Sequence, residues 1–421
     1  MLRKLVPLML ILGSMACSDD AEEVLYIIDG NNQTNNSTNN STNNQTVSQS
    51  NNQTNNSPNN NIEPILRPEL VTLLDQDILT ADNGVAGPFQ FDVPPNTQSV
   101  VITIVGDSPT QYTVRHWNNG DSSPLVNLGW LGTDPGAPSL CLSCPQRVTS
   151  SEAAFAAMAP TNPAVSITPG THEFSVLSFK LLGLANQTPV AGPARVIVTA
   201  KVMPAAPTAG TLDVNLWFSG AQGLTAATAA TDTNFQKTLA DVNTVYAQVG
   251  LKLGRITYND IEGDFNVIEN VIGAGSDLAG LFAQSANAPQ DAVNVFFVED
   301  LLTGAAGSQG FGILLGVSGG IPGPAGLMGT GRSGVVLALK RSAQAPTPLY
   351  KVFSHEVGHF LGLYHTSEQN FGGGQQIHDQ LPDTPENDPT MVMHNSGNGD
   401  ILSASQGSTM RLNPWVRQEA E

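Results

Sequence analysis

The stretch His355-Glu356-Val357-Gly358-His359-Phe360-Leu361-Gly362-Leu363-Tyr364-His365-Thr366 decides how the second half of this chain is read. Thr347 and Pro348 offer a helix start upstream, with Thr347 as N-cap and Pro348 in the first turn, and the helix is expected to run to about Leu361. At about 100° per residue, Phe353, Val357, Phe360, Leu361 and Tyr364 fall on one side, with His355 and His359 nearly opposite. The histidine face is therefore expected to look away from the core. A spacing of four lets both imidazoles reach one ion, and neutral imidazole binds zinc at about 2.0–2.1 Å. Gly362 can take a left-handed conformation, so the chain can leave the helix there and swing His365 back as a third ligand. Three ligands leave one corner of the metal open for water, beside which Glu356 would act as general base.

Downstream lie Asp383-Thr384-Pro385 and Pro389-Thr390-Met391-Val392-Met393-His394. With the histidine motif they make residues from about 210 to 421 resemble a metzincin zinc metallopeptidase of the pappalysin-like branch. The resemblance implies an α+β catalytic domain with a mixed twisted sheet and an active-site helix. It further implies zinc on His355, His359 and His365, Glu356 as catalytic base, a polypeptide substrate and a methionine turn beneath the metal. Met393 is the candidate for that turn and Met391 the alternative. Two departures stand out: Asn395 follows where the branch commonly has a tyrosine, and the cysteines that usually cross-link this region are absent. Asp379, Asp383, Glu386 and Asp388 offer oxygens suited to calcium, a second metal expectation. His378 and His394 are expected near the cleft rather than on the metal. On the same layout Phe311–Val317 would be an edge strand to which an extended peptide adds, with Gly319–Gly331 as a mobile rim or a plain surface loop.

Around the motif, strands alternate with helices from about Thr208. Strands are expected at Leu212–Phe218, Leu251–Tyr258, Val293–Val298 and Gly334–Leu339, and helices at Asp232–Val249, stopped by Gly250, and Ser276–Ala286. From Ile62 to Pro207 the rhythm changes to short alternating segments between turn residues: Phe89–Val93, Ser99–Val105, Tyr112–Trp117, Phe174–Phe179 and Arg195–Val202. That pattern predicts an all-β sandwich. The turn Thr168-Pro169-Gly170-Thr171-His172-Glu173-Phe174 resembles one found in jelly-roll domains attached to secreted bacterial peptidases. His116 and His172 read as ordinary surface or strand residues.

The chain has 421 residues, 40% of them hydrophobic, and its 41 Gly and 28 Pro favour turns and short strands over long helices. With 17 Lys and Arg against 36 Asp and Glu the formal charge is −19, which disfavours nucleic acid as a partner. Arg3 and Lys4, the apolar run Leu5–Leu12 and the small residues Gly13–Ala16 read as an export signal too short to span a bilayer. Ser14-Met15-Ala16-Cys17 resembles a bacterial lipobox, with Ser14 where leucine is usual. Acylated Cys17 would tether the protein to the cell envelope without a spanning helix; plain cleavage after Ala16 would release it as a secreted protein. The division expected is thus a lipoprotein-type signal over 1–17, a disordered Asn/Gln/Ser/Thr-rich linker over 18–61, a sandwich over 62–207 and a peptidase domain over 208–421. As a flexible coil the linker would reach roughly 35 Å. Cys141 and Cys144 are expected to form a local disulfide after export. The leading expectation is an exported, membrane-tethered zinc endopeptidase; an adhesin or binding lipoprotein with a residual zinc site is the competing class. A pro-domain role for 62–207, with Cys141 or Cys144 blocking the zinc, is a further reading.

Overall fold

The computed structural model describes residues 16–18, 67–128, 144–182, 186–269, 271, 277–302, 314–340, 347–369 and 376–418. Two hydrophobic cores organise them. The first lies between two antiparallel sheets. One sheet orders Leu70–Thr80, Gly192–Val202, Thr97–Gly106 and Ala154–Ala159 side by side; the other is built on Gly170–Leu182, flanked by Val85–Val93, Gln111–Asn118 and Asn186–Pro189. Val100, Ile102 and Ile104 from one sheet and Val114, Trp117, Phe174 and Val176 from the other share that core. His172, on strand Gly170–Leu182 as one of the two expected placings has it, is fully buried there and takes the Trp117 indole N–H on Nδ1 at 3.2 Å.

The second core sits under a sheet in which Leu251–Asp260, Gly210–Phe218, Val293–Val298 and Val335–Ala338 run parallel and Leu314–Ser318 runs antiparallel beside the last. Buried along their whole length, the inner strands read as nearly apolar runs, Val293–Val298 interrupted only by Asn294 and Val335–Ala338 without a polar residue. Helix Thr233–Ala247 packs its Phe235, Leu239, Val242, Val245 and Tyr246 stripe into this core, with Asp232 accepting the Phe235 N–H at 2.7 Å as N-cap. The segment Ala16–Ser18, which includes Cys17, pairs antiparallel with Leu314–Ser318. That places a strand along the edge the sequence reading leaves open.

Three sequence expectations are corrected. Pro348, with φ −63° and ψ 144°, is itself the N-cap of the motif helix Leu349–Phe360, so the start expected at Thr347 moves one residue on. Every residue of that helix from Val352 to Phe360 is buried, so the histidine face is enclosed rather than facing outward. The Gly/Pro segment 319–331 is neither a rim nor a surface loop. It is wedged between the two cores, where Gly323 N–H donates to the Phe360 carbonyl at 2.9 Å and a Cβ on Gly323 would strike the Phe360 ring. Of the expected edge strand Phe311–Val317, residues 311–313 lie outside the described residues.

The modules are bonded to each other through polar groups that neither exposes. Alternate residues of Thr97–Gly106 leave the sandwich core on the outer side, where Val105 and Ile197 meet Leu327. Lys201, fully buried on Gly192–Val202, donates to the carbonyls of Arg411 at 2.7 Å, Asn413 at 3.2 Å and Val416 at 2.6 Å. Ser99 Oγ donates to the Leu412 carbonyl at 2.6 Å, and Arg67 to those of Asp291 and Pro414. Three acceptors lose their donor in Lys201→Met, so the variant should unfold with about 3 kcal/mol less free energy than the parent in urea titrations. An unchanged midpoint would show that the seam does not hold the fold.

Candidate metal centre

The helix Leu349–Phe360 fixes two candidate ligands, His355 and His359, and its C-terminus delivers the third, His365. Leu361 closes the helix at φ −89°, ψ 2°, and Gly362 follows at φ 107°, a conformation that suits glycine. Leu363 N–H bonds the Gly358 carbonyl at 3.0 Å and Gly362 N–H the His359 carbonyl at 2.8 Å, the paired bonds of a Schellman stop. The turn brings His365 against the helix histidines. His355 Nε2 and His359 Nε2 stand 3.2 Å and 3.1 Å from His365 Nε2.

The outer ring nitrogens say what those inner ones carry. His355 Nδ1 lies 2.6 Å from the Val392 carbonyl and His359 Nδ1 2.7 Å from the Leu363 carbonyl. A carbonyl only accepts, so both Nδ1 atoms hold the proton and both Nε2 atoms present lone pairs. Lone pairs converging on a third nitrogen repel unless a cation lies among them. Ligands about 2.05 Å from a tetrahedral zinc would stand about 3.3 Å apart, close to what is found. Burial also favours neutral rings: it draws His355 down to about pKa 4, helped by nearby His394, and holds His359 and His365 well below the ordinary range. The donor set therefore fits zinc. Among the described residues these three form the group of His, Cys, Asp or Glu ligand atoms close enough to share an ion.

Residues 282–415 match the Peptidase_M43 family model, described as pregnancy-associated plasma protein-A. The match covers about a third of the chain, and this segment is similar to the peptidases of that family. No curated protein matches the chain. Among solved structures, metalloproteinase-II from Bacteroides fragilis aligns at 12% identity and TM-score 0.31, covering 51% of this chain and 61% of that one. A chaperone-substrate complex aligns at 12% identity and TM-score 0.27, covering 56% and 36%. An active-site mutant of a family two carbohydrate esterase from Clostridium thermocellum aligns at 8% identity and TM-score 0.14, covering 55% and 65%. The chain spans less than two thirds of the length of each, and scores this low bear on nothing further.

Within the metzincin-like segment, Met393 is fully buried beside the helix: a Cβ on Gly358 would fall 2.6 Å from its Sδ. Met391 instead forms a bridge to Ile401. The backbone here orients the candidate ligands, through the Val392 carbonyl on His355 and the Met393 carbonyl, which accepts Thr366 N–H at 2.9 Å. Glu356 is fully buried, both of its carboxylate oxygens lack a hydrogen-bond partner among the described residues, and burial pushes its pKa well above 4.5. Its side chain lies against Gly316 of Leu314–Ser318, where a Cβ would come within 2.6 Å of Cγ. Sequence reasoning missed Gly316; only a glycine opposite a glutamate in the edge strand could have signalled it.

The carboxylates offered for calcium are spread over separate partners. Asp379 accepts from Thr384 and Leu381, Asp383 from Ser403 Oγ and Ser405 N–H at the start of helix Ala404–Leu412, Glu386 pairs with His378 at 3.2 Å, and Asp388 accepts from Thr390. His394 hydrogen-bonds Ser396 at 2.9 Å. Cys144 is a disulfide cysteine; its expected partner Cys141 lies outside the described residues.

Because the rings are held neutral, protons should compete weakly for the site. Zinc affinity measured by calorimetry should stay level from pH 8 to pH 6, where three ordinary imidazoles would lose roughly sixtyfold. A loss of that size would contradict the burial argument.

Proposed function

We propose that this chain is an exported zinc-dependent endopeptidase, with zinc held by His355, His359 and His365 and with Glu356 as general base. The observation that carries the reading is the convergence of three buried Nε2 atoms, two with their Nδ1 protons committed to carbonyls, together with a buried carboxylate, Glu356, on the helix that carries two of them. Zinc, when bound, supplies Lewis acidity toward a substrate carbonyl and acidifies a water. The chain's own part is proton handling and placement. Glu356 sits where the pull of burial raises its proton affinity, and a neighbouring divalent cation would oppose that pull. Such a carboxylate can take a proton from water and return it to the leaving amine.

The substrate is read as an extended polypeptide added along Leu314–Ser318. The chain's own Ala16–Ser18 pairs there antiparallel, Ala16 opposite Val317 and Ser18 opposite Leu314, which supports an edge able to accept a strand. Tethering through acylated Cys17, the linker over 18–61, a jelly-roll-like sandwich over 62–207 and a metzincin arrangement over 208–421 complete the proposal. The two separate cores support that last division.

Glu356→Gln should keep stoichiometric zinc and lose at least about a thousandfold in cleavage of a quenched peptide. Equal cleavage by both proteins would refute the mechanism, and a wild type without zinc would refute the site. Gly316→Ala should likewise retain zinc but lower kcat about tenfold or more, because the added methyl displaces Glu356. Parental kcat in that variant would show that the contact does not position the base.

A further inference from the structure

The third ligand is placed differently from the other two. His355 and His359 are spaced by the helix itself, whereas His365 stands on the loop turned out at Gly362. That loop is gripped from outside the peptidase segment. Arg147, a buried residue of the sandwich module just after disulfide-bonded Cys144, lays its guanidinium over the ring of Tyr364, with Cζ 4.2 Å from the centroid. Tyr364 in turn donates its hydroxyl to the Arg147 carbonyl at 3.3 Å. Ring and hydroxyl are thus both engaged, one by the side chain and one by the backbone of a single residue.

The same part of the sandwich holds the chain beyond the ligand. Gln380 Nε2 donates to the Cys144 carbonyl at 2.9 Å, and Asn162 Nδ2 donates to Gln380 Oε1 at 3.3 Å. On the near side, a Cβ on Gly362 would fall 2.9 Å from Met158 of the sandwich strand Ala154–Ala159. The span from Gly362 to Gln380 is therefore bracketed by sandwich residues, with His365 inside it.

We propose that Arg147 is a positioning residue for the third metal ligand: by clamping Tyr364 it sets where the His365 imidazole stands. This rests on the reading of the three histidines as a zinc site. A ligand on a loop depends more than one on a helix on contacts from outside its own segment, here the Thr366 N–H bond to the Met393 carbonyl and the Arg147 clamp on Tyr364. The sandwich module then acts as part of the metal site although it supplies no ligand.

The test uses the full chain. Zinc affinity is measured by chelator competition, and the coordination geometry is read from the visible bands of the cobalt-substituted protein. Arg147→Met, similar in bulk but uncharged, and Tyr364→Leu should each weaken zinc ten- to a hundredfold and alter the cobalt spectrum. The double variant should lose no more than the worse single one. Arg147→Lys keeps a cation over the ring and should recover part of the loss. Lys201→Met, on the same seam but away from the ligand loop, should bind zinc as the parent does. Parental zinc affinity and cobalt spectrum in Arg147→Met would overturn the proposal, as would an equal loss in Lys201→Met. If Arg147→Met does not fold, Tyr364→Leu decides on the same two readings. Absence of zinc binding by the parent itself would instead overturn the underlying peptidase reading.

Discussion

Three buried imidazole nitrogens facing one another are the constraint to which the rest of the second module conforms. Such a cluster is unfavourable by itself: the lone pairs repel, and each ring has given up its hydration. The protein meets the cost in two ways. Carbonyls from Val392 and Leu363 fix the protons on the far side of two rings, so the near side has one charge pattern and one use. A bound divalent cation would turn a repulsive cluster into an attractive one, and its binding free energy would become part of the stability of the fold.

Approach to that centre is governed by what glycine omits. Gly358 leaves room for the Met393 sulfur, Gly316 for the Glu356 side chain and Gly323 for the Phe360 ring, in each case at distances a Cβ would forbid. Gly362 contributes instead through its φ of 107°, without which the chain could not turn back at that point. A glycine-rich composition would ordinarily signal loops and flexibility. Here several of the glycines are buried contacts, and their loss would push apart the elements that carry Glu356, the three histidines and Met393.

This explains which parts of the molecule could be read from sequence and which could not. Local periodicity reports local structure: the stripe Phe235, Leu239, Val242, Val245 and Tyr246, the run Val293–Val298 and the four-residue histidine spacing each carry their meaning within a turn or two of chain. The strand Leu70–Thr80 escaped notice because Asp75, Gln76 and Asp77 interrupt its apolar pattern; Arg195 on the neighbouring strand pairs with Asp75 at 2.7 Å and restores the balance. Segment 319–331 was misread because its Gly/Pro content describes backbone freedom and says nothing of what packs on it. The enclosed histidine face was misread for a similar reason, since a helical wheel shows one helix and not the sandwich and methionine segment that cover it. Lys201 is the sharpest case: a lysine in an alternating strand reads as solvated, and only the arrival of three carbonyls from residues 411 to 416 makes its burial possible.

The character of the seam between the modules bears on whether the first is a cover to be shed or a lasting part of the machine. A cover that must leave should present groups that water can satisfy once it goes. This seam instead buries a lysine ammonium on three carbonyls, Ser99 on a fourth, and Arg67 on the backbone at Asp291 and Pro414, most of them at the chain's last helix and strand. Val416 and Arg417 are themselves paired to Leu212 and Thr211 at the start of the central parallel strand. Removing the sandwich would expose Leu327 and strand the acceptors of residues 411–416, loosening the segment that closes one end of the sheet. Shedding would therefore disturb the sheet that carries Gly316 and the helix that packs on it, which argues for a module retained in the working protein.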